Sequence, residues 1–373
     1  NAKEAALVEG VNAFAAASLA ELASFLCGES EIPPYRLDIR ELMELSCVEI
    51  SDFSDIKGQQ AAKRALEVAA AGGHNLIMLG SPGSGKTLLA RSLPGILPDM
   101  TFQESIEVTK IHSLAGLLPN SQPLVTRRPF RCPHHTASAV SIIGGGRIPK
   151  PGEVSLAHNG VLFLDEMPEF NKDTLEALRQ PLEDGVVTIS RINASLTYPA
   201  RLMLVGALNP CPCGYFGDQT RTPYQVQRYI ARLSGPLLDR IDIHVEVPRL
   251  PYEDLSDQTR GESSGEIKKR VEGARAIQRR RFLMNNDKET LKDPVKLHCN
   301  ACMGPREVRK YCKLSKEART LLKEAFGRLG LSARSHDRVL KVSRTIADLA
   351  DADLIEEAHL AEALQYRSVE KRL

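Results

Sequence analysis

The sequence predicts an α/β domain built on a parallel sheet, followed by an all-helical domain. Between residues 59 and 247, short apolar runs alternate with helical stretches, which is typical of a parallel sheet covered by helices on both faces. Beyond residue 265 every patterned stretch is helical. The polar segment 248–265, which contains Pro251 and Gly261, predicts a linker between the two domains.

The individual elements are predicted from the same periodicities. Strands are predicted at residues 75–80, 161–164, 186–190, 202–207 and 241–247. Helices are predicted at residues 2–28, 37–45, 59–71, 88–97, 172–184, 223–234, 266–282, 315–329, 336–350 and 355–364. Because the carboxyl ends of parallel strands meet at one edge of a sheet, we expect ligand-binding residues directly after these strands.

Composition excludes several classes of protein. With 373 residues, 42% of them hydrophobic and 26% charged, the chain has a globular composition, not a disordered, collagen-like or disulfide-rich one. It contains no apolar run of ~18 residues, which a transmembrane helix would need, and no signal peptide is visible. Because eight cysteines occur without a secretory signal, we expect a reducing, cytoplasmic location. The chain begins with Asn1 rather than Met, so we expect a fragment of a longer protein.

The net charge of +2 is distributed unevenly between the two domains. Residues 265–373 contain 25 Lys and Arg against 16 Asp and Glu, so the helical domain is basic and the remainder is acidic. A basic domain favours a polyanionic partner such as DNA; the alternatives are an ordinary solvated helical surface and a surface that meets the acidic core of a neighbouring subunit. The sequence leaves these alternatives open.

A phosphate-binding loop joins the first predicted strand to the next helix. The segment from Gly80 to Thr87 fits the pattern G-x-x-x-x-G-K-[ST], in the strand–loop–helix context that the motif requires. Its glycines let successive N–H groups point at phosphates, Lys86 is expected to reach the β- and γ-phosphates, and Thr87 to bind Mg²⁺. The predicted ATP-binding residues are Gly80, Ser81, Pro82, Gly83, Ser84, Gly85, Lys86, Thr87 and Leu88.

Three polar residues follow the next two core strands. Asp165 and Glu166 come directly after residues 161–164, where Asp165 is expected to hold Mg²⁺ and Glu166 to act as the general base on a water molecule. Asn209 follows residues 202–207 and can orient the same water, although an Asn-Pro turn is the alternative. These residues predict hydrolysis of ATP, with Mg²⁺ as cofactor.

In this order the motifs resemble those of an AAA+ ATPase, a P-loop core followed by a helical lid. The chain more narrowly resembles the Mg-chelatase-like ATPases of the ComM/YifB type. The residues that carry this resemblance are 58–60, 69–75, 128–138, 151–166, 209–214, 233–247, 332–349 and 365–367. It implies an ATPase core over residues 51–250 and a lid over 251–373, with residues 1–50 as the tail of a largely missing Lon-type N-terminal domain and a helical linker.

The resemblance also implies a ring, usually a hexamer, with ATP at the subunit interfaces. Arg240 then stands at the position of the arginine finger, which stabilises the γ-phosphoryl group of the neighbouring subunit; a surface ion pair with Asp239 or Asp242 is the alternative. Arg334 corresponds to the sensor-2 arginine of the lid, and Arg338, one turn later, is the alternative.

Two further elements are implied to face the channel of such a ring. One is an insertion within residues 97–161, and the other is a hairpin over 186–200 that precedes the sensor-1 strand. Basic groups there can follow a phosphate backbone. The candidate DNA-contacting residues are Arg131, His134, His135, Arg147 and Arg191. A metal site at the two histidines and Cys132 is disfavoured, because companion ligands at a usual spacing are missing.

The remaining cysteines allow two interpretations. Cys211 and Cys213 in the core and Cys299 and Cys302 in the lid supply four thiols that can bind Zn²⁺ in principle. Relatives often have a second cysteine pair soon after the first, and the stretch where it is expected, residues 217–223, is shortened here. This favours free thiols.

Together these features predict a cytoplasmic, ring-forming, ATP-driven motor on single-stranded or branched DNA. The resemblance implies helicase or branch-migration activity on recombination intermediates, as in natural transformation, with no membrane partner. One alternative is the motor subunit of a metal-chelatase complex. The other is a nucleotide-gated scaffold, which Glu166 and Arg240 argue against because a pure switch does not need them.

Overall fold

Five parallel strands form the centre of the structure, a computed structural model that describes residues 2–6, 11–35, 51–118, 124–146, 149–191, 194–211, 228–229, 231–251, 260–284, 298–329 and 332–368. The described strands are β1 (Ala13–Phe14), β2 (Pro34–Tyr35), β3 (Leu76–Leu79), β4 (Phe130–Arg131), β5 (Gly144–Gly145), β6 (Lys150–Pro151), β7 (Val161–Leu164), β8 (Val186–Arg191), β9 (Ala194–Pro199), β10 (Met203–Leu208) and β11 (Ile243–Glu246).

The described helices are α1 (Ala2–Ala5), α2 (Leu19–Leu26), α3 (Gln60–Gly72), α4 (Lys86–Ser92), α5 (Phe102–Leu114), α6 (Ala139–Ile143), α7 (Glu153–Leu156), α8 (Lys172–Ala177), α9 (Arg179–Asp184), α10 (Gly235–Leu238), α11 (Ser264–Met284), α12 (Pro305–Tyr311), α13 (Lys316–Leu329), α14 (Ala333–Leu349) and α15 (Glu357–Ser368). Short 3₁₀ turns lie at Phe53–Asp55, Leu93–Gly95, Met167–Glu169 and Asn300–Cys302. No described helix is both long enough and apolar enough to span a membrane.

The chain divides into two compact units. One contains the described parts of Asn1–Glu49 and Met100–Arg128, and the other those of Ile50–Asp99 and Pro129–Leu373. In the first unit β1 pairs with β2, and Thr101 caps α5 through a reciprocal pair of hydrogen bonds with Glu104. The second unit contains the sheet, the helical domain and every residue predicted to bind ATP.

The central sheet has the strand order β11-β3-β10-β7-β4, and each neighbouring pair is parallel. Alternate residues of β3 face opposite sides: Leu76 and Met78 pack in one apolar cluster, and Ile77 and Leu79 in the other. Both faces are therefore buried, which explains why β3, β7 and β10 are continuous apolar runs. The predicted parallel α/β core and the helical region behind it are confirmed.

The helical domain packs on one face of this core. Helix α14 contacts α3, α11 and α15, and its buried Arg344 donates to Asp348 one turn later. Asp348 also accepts from Arg281 of α11, so two guanidinium groups compensate one fully buried carboxylate. The antiparallel hairpin of β8 and β9, from Val186 opposite Pro199 to Arg191 opposite Ala194, lies where the sequence predicts it.

Three predicted helices differ from the structure. The helix expected over residues 2–28 is wrong, because Ala13 and Phe14 pair with β2 and Ser18 caps a new helix by accepting from the Glu21 N–H. The helix expected over 88–97 is Lys86–Ser92, and Pro94 lies in the 3₁₀ turn that follows. The helix expected over 172–184 is divided at Leu178 into α8 and α9. The helix at 37–45 and half of that at 223–234 lie outside the described residues.

Candidate functional site

The phosphate-binding loop lies between β3 and α4 and depends on its glycines. Gly83 and Gly85 have φ values of 74° and 93°, in the left-handed region that glycine tolerates best. Gly80 donates its N–H to the Leu208 carbonyl at 3.1 Å, and a Cβ at this position would collide with the Val247 carbonyl oxygen. The ends of β10 and β11 therefore hold the beginning of the loop in place.

Lys86 is buried at the mouth of this loop. Its Nζ donates to the carbonyl oxygens of Gly80 at 2.6 Å and Ser81 at 2.9 Å, and to Oδ1 of Asn209 at 3.2 Å. Burial lowers the pKa of Lys86, and the charges of Asp165 and Glu166 raise it by a smaller amount. The ammonium group is thus held by three oxygen atoms that a phosphate group can replace.

The oxygen atoms suited to Mg²⁺ meet at the same edge of the sheet. Thr87 Oγ1 donates to Asp165 Oδ2 at 2.8 Å, although the two residues are 78 positions apart in the chain. A hydroxyl and a carboxylate are the hard oxygen ligands that Mg²⁺ takes beside nucleotide phosphates. The residues present therefore fit the cofactor that the sequence predicts.

Glu166 follows in an unusual backbone conformation. Its φ of 49° is left-handed, which is rare outside glycine and is associated with functional sites. The side chain is half exposed, and its Oε2 lies 3.4 Å from Nδ1 of His135, in the segment that follows β4. The sequence predicts a channel position for His135 and gives no sign of this contact with the predicted general base.

Two other residues at the site escape prediction from the sequence. Gln59 is buried at φ 55°, and its Nε2 donates to the carbonyl oxygens of Ser84 at 3.3 Å and Pro248 at 2.7 Å. Burial raises the pKa of Tyr229 to about 12, and the Tyr229 hydroxyl makes a hydrogen bond with the backbone of Asn209. In the sequence, Gln59 stands out only as one of the residues 58–60 that carry the family resemblance, directly before α3.

Arg240 lies at the opposite edge of the sheet from the phosphate loop. Its carbonyl accepts from Asn75 Nδ2 at 2.9 Å, and Asn75 directly precedes β3, whereas Gly80 directly follows it. At about 3.3 Å per residue the four residues of this strand separate the two edges by roughly 13 Å. The backbone of Arg240 therefore lies at the edge of the sheet away from the loop of its own chain.

Several basic residues surround Arg240. Its guanidinium pairs with Glu183 and donates to the Pro236 carbonyl at 2.6 Å, beside a cavity of about 310 Å³ lined by residues of α8 and α9. Burial lowers the pKa of Arg240, and so do the charges of Arg179, Arg334 and Arg338. The two lid arginines are thus close enough to the predicted arginine finger to act on it electrostatically.

The two lid arginines differ in their contacts. Arg338 donates to Asp242 at 2.8 Å, and this buried carboxylate also faces Nδ1 of His74 at 3.1 Å. Arg334 is exposed and has no ion pair in the described part of the chain. Arg338 therefore compensates a buried charge, whereas Arg334 is available to a ligand.

The remaining DNA-contact predictions fall in different places. Arg131 forms a bidentate pair with Glu153 at 2.6 and 2.8 Å, so its charge is already compensated. His134 makes a hydrogen bond with Thr136 Oγ1 at 2.9 Å, and its ring lies 4.2 Å from that of His135. Arg147 lies outside the described residues, and only the backbone of Arg191, in β8, is described.

The cysteine prediction is correct only in part. Cys132, Cys299, Cys302 and Cys312 are free thiols. Cys211 is disulfide-bonded, which corrects the expectation of a free thiol there. Cys213, its neighbour in the predicted set, lies outside the described residues.

Comparisons with known proteins agree with this arrangement. The family profile "Magnesium chelatase, subunit ChlI" matches residues 52–255, and "Magnesium chelatase, subunit ChlI C-terminal" matches residues 261–367. The chain is 46% identical to competence protein ComM of Haemophilus influenzae over 381 positions, which cover all of this chain and 71% of ComM. It is 44% identical to YifB of Salmonella typhimurium over 377 positions, with the same coverage. The magnesium-chelatase 67 kDa subunit of Chlorobaculum parvum is 29% identical over 164 residues, 42% of this chain and 23% of that subunit.

Proposed function

Because the chain belongs to the Mg-chelatase-like AAA+ ATPases of the ComM/YifB type, we propose that it is a ring-forming, ATP-driven motor on DNA. The observation that carries this proposal is the placement of Lys86 and Arg240 at opposite edges of one sheet. A chain arranged in this way holds half of an ATP site at each edge. Copies that associate head to tail complete the sites and close into a ring.

Hydrolysis begins with ATP held by the loop from Gly80 to Thr87. Lys86 exchanges its carbonyl partners for the β- and γ-phosphates, and Thr87 and Asp165 would hold Mg²⁺. Bound there, Mg²⁺ would neutralise charge on the phosphate oxygens. Glu166 takes a proton from the attacking water, whose oxygen forms the new bond to the γ-phosphorus as the bond to ADP breaks.

The neighbouring subunit supplies the remaining positive charge. Arg240 leaves Glu183 and pairs with the γ-phosphoryl oxygens of the adjacent site, where a guanidinium stabilises the developing charge. We assign Arg334 to the same neighbouring site, because its positive charge acts on Arg240. The sensor-2 role thus goes to Arg334, while Arg338 stays bound to Asp242.

Two features support DNA as the substrate. The helical domain is basic, with 22 Lys and Arg against 9 Asp and Glu over residues 265–344, and such surfaces attract a phosphate backbone. ComM, which is named a competence protein, aligns with the whole chain. We therefore assign to this ring the movement of single-stranded or branched DNA, in helicase or branch-migration reactions of recombination and transformation.

The first experiment measures the ATPase rate of the chain without DNA and with single-stranded, duplex and four-way-junction DNA. Glu166→Gln is the blank, and sedimentation with ATP and Mg²⁺ reports ring assembly. We expect assembled rings whose hydrolysis is faster with single-stranded or branched DNA. Assembled rings that neither bind DNA nor respond to it would refute the DNA proposal.

A metal-chelatase motor is the second candidate, favoured by the 29% identity to a magnesium-chelatase subunit. That function predicts an ATPase rate that is insensitive to DNA and rises when a chelatase partner subunit is added. The same assay therefore separates the two functions.

A further inference from the structure

Three potential metal ligands meet in the helical domain, in the segment directly before α12. Sγ of Cys299 and Sγ of Cys302 lie 3.4 Å apart, and both ring nitrogens of His298 lie 3.9 Å from Sγ of Cys302. All three donor atoms fall within 4.8 Å of one another. Among the residues that the structure describes, this is the one such group of three.

We infer that His298, Cys299 and Cys302 form a zinc site, with water as the fourth ligand. Tetrahedral Zn²⁺ binds thiolate sulfur at about 2.3 Å and imidazole nitrogen at about 2.0–2.1 Å, so ligand atoms around it stand roughly 3.5–3.8 Å apart. The distances of 3.4 and 3.9 Å bracket this spacing. Two thiolates and an imidazole are soft to borderline donors, which favour zinc over magnesium or calcium.

The backbone between the donors is fixed before any metal binds. Asn300 is fully buried; its N–H donates to Gln278 at 3.0 Å, and its side-chain amide donates to Asp348 at 2.8 Å. The Ala301 carbonyl accepts from Lys341 at 3.0 Å, and the His298 carbonyl accepts from Arg275 at 3.3 Å. A site whose ligands are already positioned loses little conformational entropy on binding.

The donors also differ in exposure in the way a three-ligand zinc site requires. Cys299 is buried, whereas Cys302 is exposed and His298 partly exposed, so solvent reaches one side of the cluster. Sites with three protein ligands keep a water or another ligand in the fourth position. The sulfur of Cys299 faces Gly73, the residue that ends α3, where an added Cβ would lie 2.7 Å away. The proposed site therefore lies where the helical domain meets the ATPase core.

A disulfide between the two cysteines is the competing interpretation of the same pair. A disulfide requires a bond of about 2.05 Å and does not involve a histidine. The observed sulfur separation is 3.4 Å, and His298 supplies a third donor beside the pair. These observations favour a metal site over a disulfide. The experiment below also tests whether the disulfide forms.

The test uses the full 373-residue chain, purified with reductant and then titrated with Co²⁺ and Zn²⁺. We expect one equivalent of Co²⁺ to give thiolate-to-cobalt charge-transfer bands and the visible bands of tetrahedral cobalt, and Zn²⁺ to displace them. Cys302→Ser and His298→Gln change exposed or partly exposed side chains and should still fold. Each should weaken zinc binding more than 100-fold, because loss of a mere outer-shell partner already costs about 10–100-fold.

Cys27→Ser is the matched control, because Cys27 is an exposed free thiol in the other compact unit. It should bind cobalt like the unchanged chain, and circular dichroism should show that all variants are folded. The site is refuted if the reduced chain gives no tetrahedral cobalt spectrum. It is equally refuted if Cys302→Ser and His298→Gln retain the spectrum, or if mass spectrometry finds a Cys299–Cys302 disulfide under the same reductant.

Discussion

The shared ATP site can be tested by dividing its two halves between two variants of the chain. Glu166→Gln removes the proposed general base and keeps the proposed arginine finger, whereas Arg240→Ala keeps the base and removes the finger. If Arg240 serves the neighbouring site, a ring that contains both variants regenerates complete sites. If Arg240 serves its own site, no subunit of the mixture has both groups, and no activity returns.

The expected magnitudes follow from the geometry. About 13 Å of sheet separates Arg240 from its own loop, so all of its contribution to catalysis should come in trans. An arginine finger contributes about 10³–10⁵ in kcat, so each variant alone should be nearly inactive. In an equimolar random ring, one interface in four joins an intact Glu166 to an intact Arg240, so we expect about a quarter of the unchanged rate.

The assay is phosphate release after the two variants are mixed, dissociated in salt and reassembled with ATP and Mg²⁺. The ion pair with Glu183, whose side chain is 56% exposed, contributes only about 0–1 kcal/mol, but the Arg240 side chain is itself 11% exposed, so Arg240→Ala also removes packing. The unfolding midpoint of Arg240→Ala is therefore measured first, and the variant is mixed only once it is shown to be folded. Mixing either variant with the double variant is the control and should recover nothing. Labelled subunits that exchange between rings without any recovery of hydrolysis would refute the trans assignment.

Three further predictions concern single residues. Burial raises the pKa of Asp242, but the hydrogen bond from His74 and the charge of Arg338 hold it well below its ordinary 3.8. This stabilisation is therefore present above pH 3.8 and is lost as the pH falls below it. Asp242→Asn should cost about 3–5 kcal/mol in urea unfolding at pH 7 and flatten the acid dependence; an unchanged acid profile would contradict this. Gly80→Ala should abolish binding of a fluorescent ATP analogue while the chain stays folded, because its Cβ meets the Val247 carbonyl; retained binding would contradict it. Arg334→Ala should lower kcat about 10²-fold without changing the unfolding midpoint; a loss of stability instead would indicate a structural role.

The sequence predicts the centre of the ATP site because two general rules act together. A P-loop fixes the residues around Lys86 locally, and parallel strands bring their carboxyl ends to one edge, so Thr87 and Asp165 meet across 78 positions. Neither rule depends on the details of packing. The apolar runs of β3, β7 and β10 are equally informative, because strands buried on both faces have few polar positions; β11, the outermost strand, also contains His244 and Glu246.

Other parts of the site depend on tertiary contacts that no local pattern contains. His135 reaches Glu166 only because of the path of the chain after β4, and its sequence neighbours suggest nothing about a carboxylate. The wrong helix over residues 2–28 has the same cause, since pairing of β1 with β2 outweighs the helical preference of its alanines. The group of His298, Cys299 and Cys302 differs from this, because all three residues lie within five positions of the sequence; the structure adds the turn, anchored by Asn300, that brings their donor atoms together.

The position of the helical domain determines which ATP site it can influence. Arg338 of α14 is bound to Asp242, two residues after Arg240, so α14 and the finger are joined by a buried ion pair. We therefore expect a displacement of the helical domain to act on Arg240 and Arg334, at the edge away from this chain's own phosphate loop. In the proposed ring, the lid of one subunit then acts on hydrolysis in the next. Arg338→Ala should accordingly slow hydrolysis only where that subunit supplies the finger, and in mixed rings with Glu166→Gln it should restore activity as Arg240→Ala does.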